Sequence, residues 1–213
     1  MLFLNPSPPV LVGILVALVI GTTFHEFMHA FVADQLGDHR PRAMGRVSLN
    51  PAAHLDPMGT LFFLIAGFGW GRPVMVNPAA LRLRPFGMAY VAVAGPLTNL
   101  VVATIIAAVF RAADLAGLLG DPSDFARQAL GLVVLFNVVL GLFNLLPIPP
   151  LDGYNLVMPF LPPRTQYTVQ RYAPYGVLVL LVLVLLPSFV GGVSPLSWLF
   201  DLAQGITRLL IGV

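Results

Sequence analysis

His25 and His29 stand four residues apart in "GTTFHEFMHA", with Glu26 directly after the first. On a helix that spacing stacks both imidazoles on one face, a turn apart and near enough to share a cation, and it sets the carboxylate about 100° round. This is the H-E-x-x-H arrangement, whose chemistry is a zinc ion that lowers the pKa of a bound water while the glutamate takes its proton. Glu26 is the only glutamate in the chain. Histidines and carboxylates inside a membrane span are costly to keep, and that cost usually marks function.

A catalytic zinc takes three protein ligands and one open position. The chain has no cysteine, which removes every thiolate site and every disulfide. A later glutamate does not exist, and a third histidine six residues after the second is ruled out by Gln35. Asp34 lies about 140° round the helix from His29. Two sources of a third ligand stay open. One is Asp152 in "NLLPIPPLDG", where Pro147, Pro149 and Pro150 break a helix and deliver a carboxylate at its end. The other is the pair His54 and Asp56 in "NPAAHLDPMG". Asp152 also reads as a helix N-cap ahead of "GYNLVM".

The elements that must position these groups are membrane spans. Of 213 residues, 58% are hydrophobic and 9% charged, with apolar runs that a soluble domain of this size could not bury. Spans are expected over Val10 to Leu36, Phe86 to Phe110, Ala126 to Leu146 and Ala173 to Val190, each near the ~20 residues needed to cross hydrocarbon. Gly59 to Gly69 is too short to cross and reads as a re-entrant or interfacial element. The tail from Ser194 has Trp198, Leu202, Ile206 and Leu209 at helical spacing and reads as an interfacial helix. The expected fold is an all-α polytopic membrane protein with about four spanning helices, a re-entrant or β-hairpin element and an interfacial C-terminal helix. Residues 1–213 are expected to form a single membrane-embedded domain with no separate soluble regulatory module.

The pI near 9.4 comes from arginines scattered through the loops, not from a run that could track a nucleic-acid backbone, so no nucleic-acid partner is expected. Arg40, Arg42, Arg46, Arg72, Arg82, Arg84, Arg164 and Arg171 fall on one side of the expected topology, and Arg111, Arg127 and Arg208 on the other. The positive-inside rule then sets the first group in the cytoplasm, the N-terminus outside and the site toward the cytoplasmic face of the cell membrane. The N-terminal stretch has no basic n-region or cleavage signature and reads as a retained span. Nothing in the sequence sets an oligomeric state.

"HEFMH", "GRVSLNPAAHLDPMGT", "FGWGRPVMVNP", "AGPLTNL" and "FNLLPIPPLDG" occur in this order from about Gly21 to about Pro159. Together they resemble the site-2 protease family of intramembrane zinc metalloproteases, in its compact prokaryotic branch. The resemblance implies that His25, His29 and Asp152 ligate one Zn2+, that Glu26 is the general base and that Asn144 donates to the developing oxyanion. It also implies a zinc metalloendopeptidase acting on membrane-spanning segments of protein substrates. Met28 and Arg72 depart locally from the family pattern, where a small residue and a lysine are common.

A helical substrate hides its carbonyls in its own hydrogen bonds. Val74, Met75 and Val76, after the permissive Gly69 and Gly71, read as an edge that could pair with an unwound substrate backbone. Gly95 and Asn99 are four apart and read as a close contact between the second span and the histidine-bearing one, with Asn99 free to orient a carbonyl or a water. His54 reads as a second-sphere or loop-fixing residue. The main rival reading is a membrane metal-ion transporter, which would spread ionisable groups along several helices; the second and fourth expected spans carry none in their centres.

Overall fold

A computed structural model describes residues 7–66, 69–121, 123–190 and 194–212. In chain order the helices are α1 (Pro8–Gln35), α2 (Arg40–Ala43), α3 (Pro57–Ala66), α4 (Gly87–Leu115), α5 (Phe125–Asn144), α6 (Asp152–Val157), α7 (Pro163–Tyr172), α8 (Gly176–Val190) and α9 (Ser197–Ile211). Among the described residues, four helical stretches are long and apolar enough to cross a membrane: α1, α4, α5 and the run Pro163–Val184, which joins α7 to α8 through a short 3-10 turn. That last run starts ten residues ahead of the expected Ala173, because Pro162 and Pro163 set a helix start in a segment too polar to be recognised by hydropathy. α4 likewise continues past Phe110 to Leu115.

α1 begins where Ser7 precedes two prolines at the first helical positions. It ends in a Schellman closure: Gly37, at φ +109°, donates to Asp34 O at 3.1 Å and Asp38 N donates to Ala33 O at 2.9 Å. α1, α4 and α5 pack on one another, and α9 lies against α4 and α5. Ala103, Ala107, Val134, Val138 and Ala203 form a buried cluster in which small side chains let the backbones approach closely. Leu97, Val101, Ile105 and Val109 form an exposed stripe four residues apart on α4, the face left for lipid.

The buried face of α9 is Leu199, Ala203 and Thr207, one residue on from the expected stripe, of which Trp198, Leu202 and Leu209 face outward while Ile206 packs against the buried cluster. Close packing selects the small Ala203 over the larger apolar residues beside it. With 15 residues, α9 is shorter than the hydrocarbon is thick.

The stretch from Gly59 to Gly69 is helical as far as Ala66; its residues 67 and 68 lie outside the described residues. Among the described residues no strand forms, and the expected hairpin is represented by one antiparallel bridge between Leu55 and Gly71. The loop between α1 and α4 is held to the end of α1 by two buried aspartates. Asp34 accepts from Arg42 Nη2 at 2.7 Å and pairs with His39 at 3.0 Å. Asp38 accepts from Arg40 at 2.9 Å and from the Asn77 amide at 2.6 Å. The Arg40 hydrogen bond holds the Asp38 carboxyl down at about 2, against the opposing effect of burial.

Candidate metal centre

Three elements converge on His25 and His29. The two rings lie edge to face on α1, with centroids 4.5 Å apart, and both residues are buried. α4 supplies the groups that orient them. His29 Nδ1 donates to the Val91 carbonyl at 2.7 Å, and since a carbonyl only accepts, the proton sits on Nδ1. His25 Nδ1 donates to Asn99 Oδ1 at 2.7 Å. Asn99 is turned that way because its amide nitrogen donates to Gly21 O at 3.0 Å and to Asn137 Oδ1 at 3.3 Å. Asn137, on α5, donates in turn to Val133 O at 2.8 Å. Both tautomers are thereby set with bare Nε2 lone pairs.

α6 supplies the third group. After α5 the chain turns through the proline-rich stretch and starts again at Asp152, whose Oδ2 lies 3.0 Å from His25 Nε2 and 3.2 Å from His29 Nε2. The two Nε2 atoms are 3.0 Å apart. With both rings neutral and protonated at Nδ1, three acceptor atoms face one another, an arrangement that repels unless a cation sits between. Zinc bonds of about 2.0–2.1 Å in a tetrahedron give ligand-to-ligand edges of about 3.3–3.4 Å, so the triangle is within a few tenths of an ångström of fitting. Among the described residues these three side chains form the one group placed to hold a metal ion, their ligating atoms within 4.8 Å of one another.

α4 can approach because residue 95 is glycine. A Cβ built there would lie 2.5 Å from His29 Nε2 and 2.7 Å from His25 Cε1, closer than carbon atoms pack. The expected contact between the second span and the histidine-bearing helix is therefore present, and Asn99 spends its side chain orienting His25.

His54 and Asp56 stand outside the cluster. His54 is fully buried and its Nε2 pairs with Ser48 O at 2.6 Å. Asp56 Oδ1 accepts from the Gly59 amide at 2.8 Å, holding the start of α3. Asp152 makes no capping bond, because Leu151 is the residue at the N-cap of α6. Glu26 is half-buried beside the triangle but not part of it, and its Oε2 lies 3.9 Å from Arg46 Nη2. Burial pushes the Arg46 guanidinium down from its ordinary pKa, with Glu26 opposing that and Arg72 adding to it. Asn144 Nδ2 donates to Leu140 O at 2.9 Å, one turn back on α5. Val74 and Val76 are half-buried with Met75 exposed between them, the alternation of an extended segment.

Sequence reasoning did not single out Asn137, Arg46 or the Val91 carbonyl. A buried polar residue midway along an apolar span was the available signal for Asn137. Arg46 counted only toward topology, and a backbone carbonyl carries no signal of residue type.

A model of peptidase family M50 matches residues 122–187. The chain is 39% identical over 176 residues to YwhC of Bacillus subtilis (strain 168), named as a zinc metalloprotease, covering 82% of this chain and 80% of that protein. It is 31% identical over 212 residues to Rip2 of Mycolicibacterium smegmatis and 34% over 208 residues to Rip2 of Mycobacterium tuberculosis (strain H37Rv), both also named as zinc metalloproteases. These two alignments each cover 94% of this chain, and 78% and 77% of the relatives. No solved structure matches the chain. A likeness of this extent, running through four apolar spans, makes the chain a multi-pass membrane member of peptidase family M50, the site-2 proteases, and a zinc metalloprotease with Zn2+ as its cofactor.

Proposed function

We propose that this metalloprotease is an endopeptidase that cuts membrane-spanning segments of other proteins, in a single domain formed by residues 1–213. One observation carries the assignment: His25 Nε2, His29 Nε2 and Asp152 Oδ2 converge as bare acceptors among apolar spans, with Glu26 beside them and uncommitted to the triangle. The three side chains hold one Zn2+ per chain, which when bound supplies a Lewis acid that lowers the pKa of water and polarises a carbonyl. Glu26 takes the proton from the attacking water and hands it to the leaving amine. Asn144 keeps one amide N–H beyond its bond to Leu140 O, and that N–H serves the developing oxyanion.

The scissile stretch must be extended to be cut. Val74, Met75 and Val76 receive it by backbone pairing, a role supported by the absence of any backbone hydrogen bond at their amides among the described residues. His54 serves the site indirectly, by holding the loop that carries Ser48. The arginine distribution puts this loop and the site on the cytoplasmic side, with the N-terminus outside.

Metal content and cleavage, measured on the same purified protein, test the assignment. Glu26→Gln is expected to keep about one zinc and lose cleavage of a membrane substrate by at least about 10²-fold. Asp152→Ala is expected to lose the zinc. Undiminished cleavage by Glu26→Gln, or full zinc in Asp152→Ala, refutes the respective role.

A further inference from the structure

Arg46 lies in the loop between α2 and α3, far in sequence from Glu26, yet its side chain is only 11% exposed and ends 3.9 Å from the Glu26 carboxylate, itself 15% exposed. The same terminal nitrogen donates to the backbone carbonyl of Arg72. Of its two other guanidinium nitrogens, Nε is buried with no hydrogen-bond partner. A buried donor without an acceptor is costly and calls for an explanation.

Arg72 is itself anchored. Its amide donates to His54 O at 2.7 Å, next to the bridge between Leu55 and Gly71. A Cβ at Gly71 would stand 3.7 Å from Glu26 Oε1, so this turn lies directly over the carboxylate. Arg72 also begins the extended stretch that runs through Val74 to Val76. One guanidinium thus touches the carboxylate on one side and, on the other, the backbone from which the open segment departs.

We propose that Arg46 is a positioning residue that ties Glu26 to the segment Arg72 to Val76, so that substrate pairing along that segment fixes the carboxylate in the orientation for proton abstraction. The inference rests on Glu26 being the base. At 3.9 Å the pair attracts by charge without a hydrogen bond, and the unpartnered Nε–H supplies the donor for a two-point contact when the segment is loaded. Arginine suits this place because its fork offers several donors in fixed directions, which a lysine ammonium does not.

The test compares Arg46→Met, Arg46→Lys and Glu26→Gln with the unaltered protein, using kcat and KM on one membrane substrate, zinc content and thermal unfolding. For Arg46→Met the expected result is a kcat about 10–100-fold lower with KM within about threefold, the range for losing a charge-assisted contact made to the base alone. Zinc content and unfolding temperature stay unchanged, and Arg46→Lys recovers part of the lost kcat. Unchanged kcat in Arg46→Met overturns the proposal. So does a loss confined to KM, which would make Arg46 a substrate contact, or a loss of zinc or of unfolding temperature in both Arg46 variants, which would make it structural. Cleavage by Glu26→Gln would instead remove the underlying base assignment, whatever the Arg46 variants do.

Discussion

Gly95→Ala would drive a carbon atom on α4 into the imidazoles of His25 and His29. The added carbon would lie 2.5 Å from His29 Nε2, 2.6 Å from His29 Cε1 and 2.7 Å from His25 Cε1. Ordinary contact is about 3.5 Å, so α4 and α1 must separate by about 1 Å or the imidazoles must rotate. A metal site tolerates about 0.2 Å in ligand placement, and either response also disturbs the bonds from His25 Nδ1 to Asn99 and from His29 Nδ1 to Val91. Overpacking of this kind costs about 1–3 kcal/mol. If it falls on the zinc-bound state, affinity drops about 5- to 150-fold, at about 1.4 kcal/mol per factor of ten. The control is Gly131→Ala on α5, where an added Cβ meets nothing within 4 Å; a helical glycine replaced there by alanine should be neutral or stabilise by up to about 1 kcal/mol. Zinc affinity measured by chelator competition, alongside cleavage, distinguishes the two. Full affinity and full activity in Gly95→Ala would refute this close packing of α4 against His25 and His29.

Asn99→Ala removes the acceptor that holds His25 Nδ1–H, and zinc affinity by the same competition assay is expected to fall about 10–100-fold. Met75→Pro removes a backbone N–H from the open segment and is expected to raise KM for a membrane substrate while leaving zinc content at about one per chain. Asp38, held at about 2 in the folded protein against an ordinary 3.8, contributes stability that is present above about pH 4 and lost as pH falls toward about pH 2. Thermal unfolding in detergent should therefore show Asp38→Asn less stable than the unaltered protein at about pH 6, with the gap narrowing steadily below about pH 4 toward about pH 2; a gap independent of pH would show that the charge on Asp38 is not what holds Asn77 and Arg40.

The helical spans and the His25, Glu26, His29 spacing were legible in the amino-acid sequence because both are local: apolar runs of span length must become helices in a bilayer, and residues four apart on a helix share a face whatever surrounds them. The extra helical turns ahead of Ala173 and the buried face of α9 were not legible, since a polar lead-in helix and the preference for Ala203 over Leu202 answer to neighbours that hydropathy does not see. The centre itself was only half written locally. Choosing Asp152 over His54 and Asp56, setting the His25 tautomer through Asn99 and Asn137, and bringing Arg46 to Glu26 all depend on contacts between residues far apart in the chain, 74 positions for His25 with Asn99 and 123 for His29 with Asp152. Composition and periodicity carry no record of such pairings; they follow from how closely α1, α4 and α5 approach, and that is settled by packing in three dimensions.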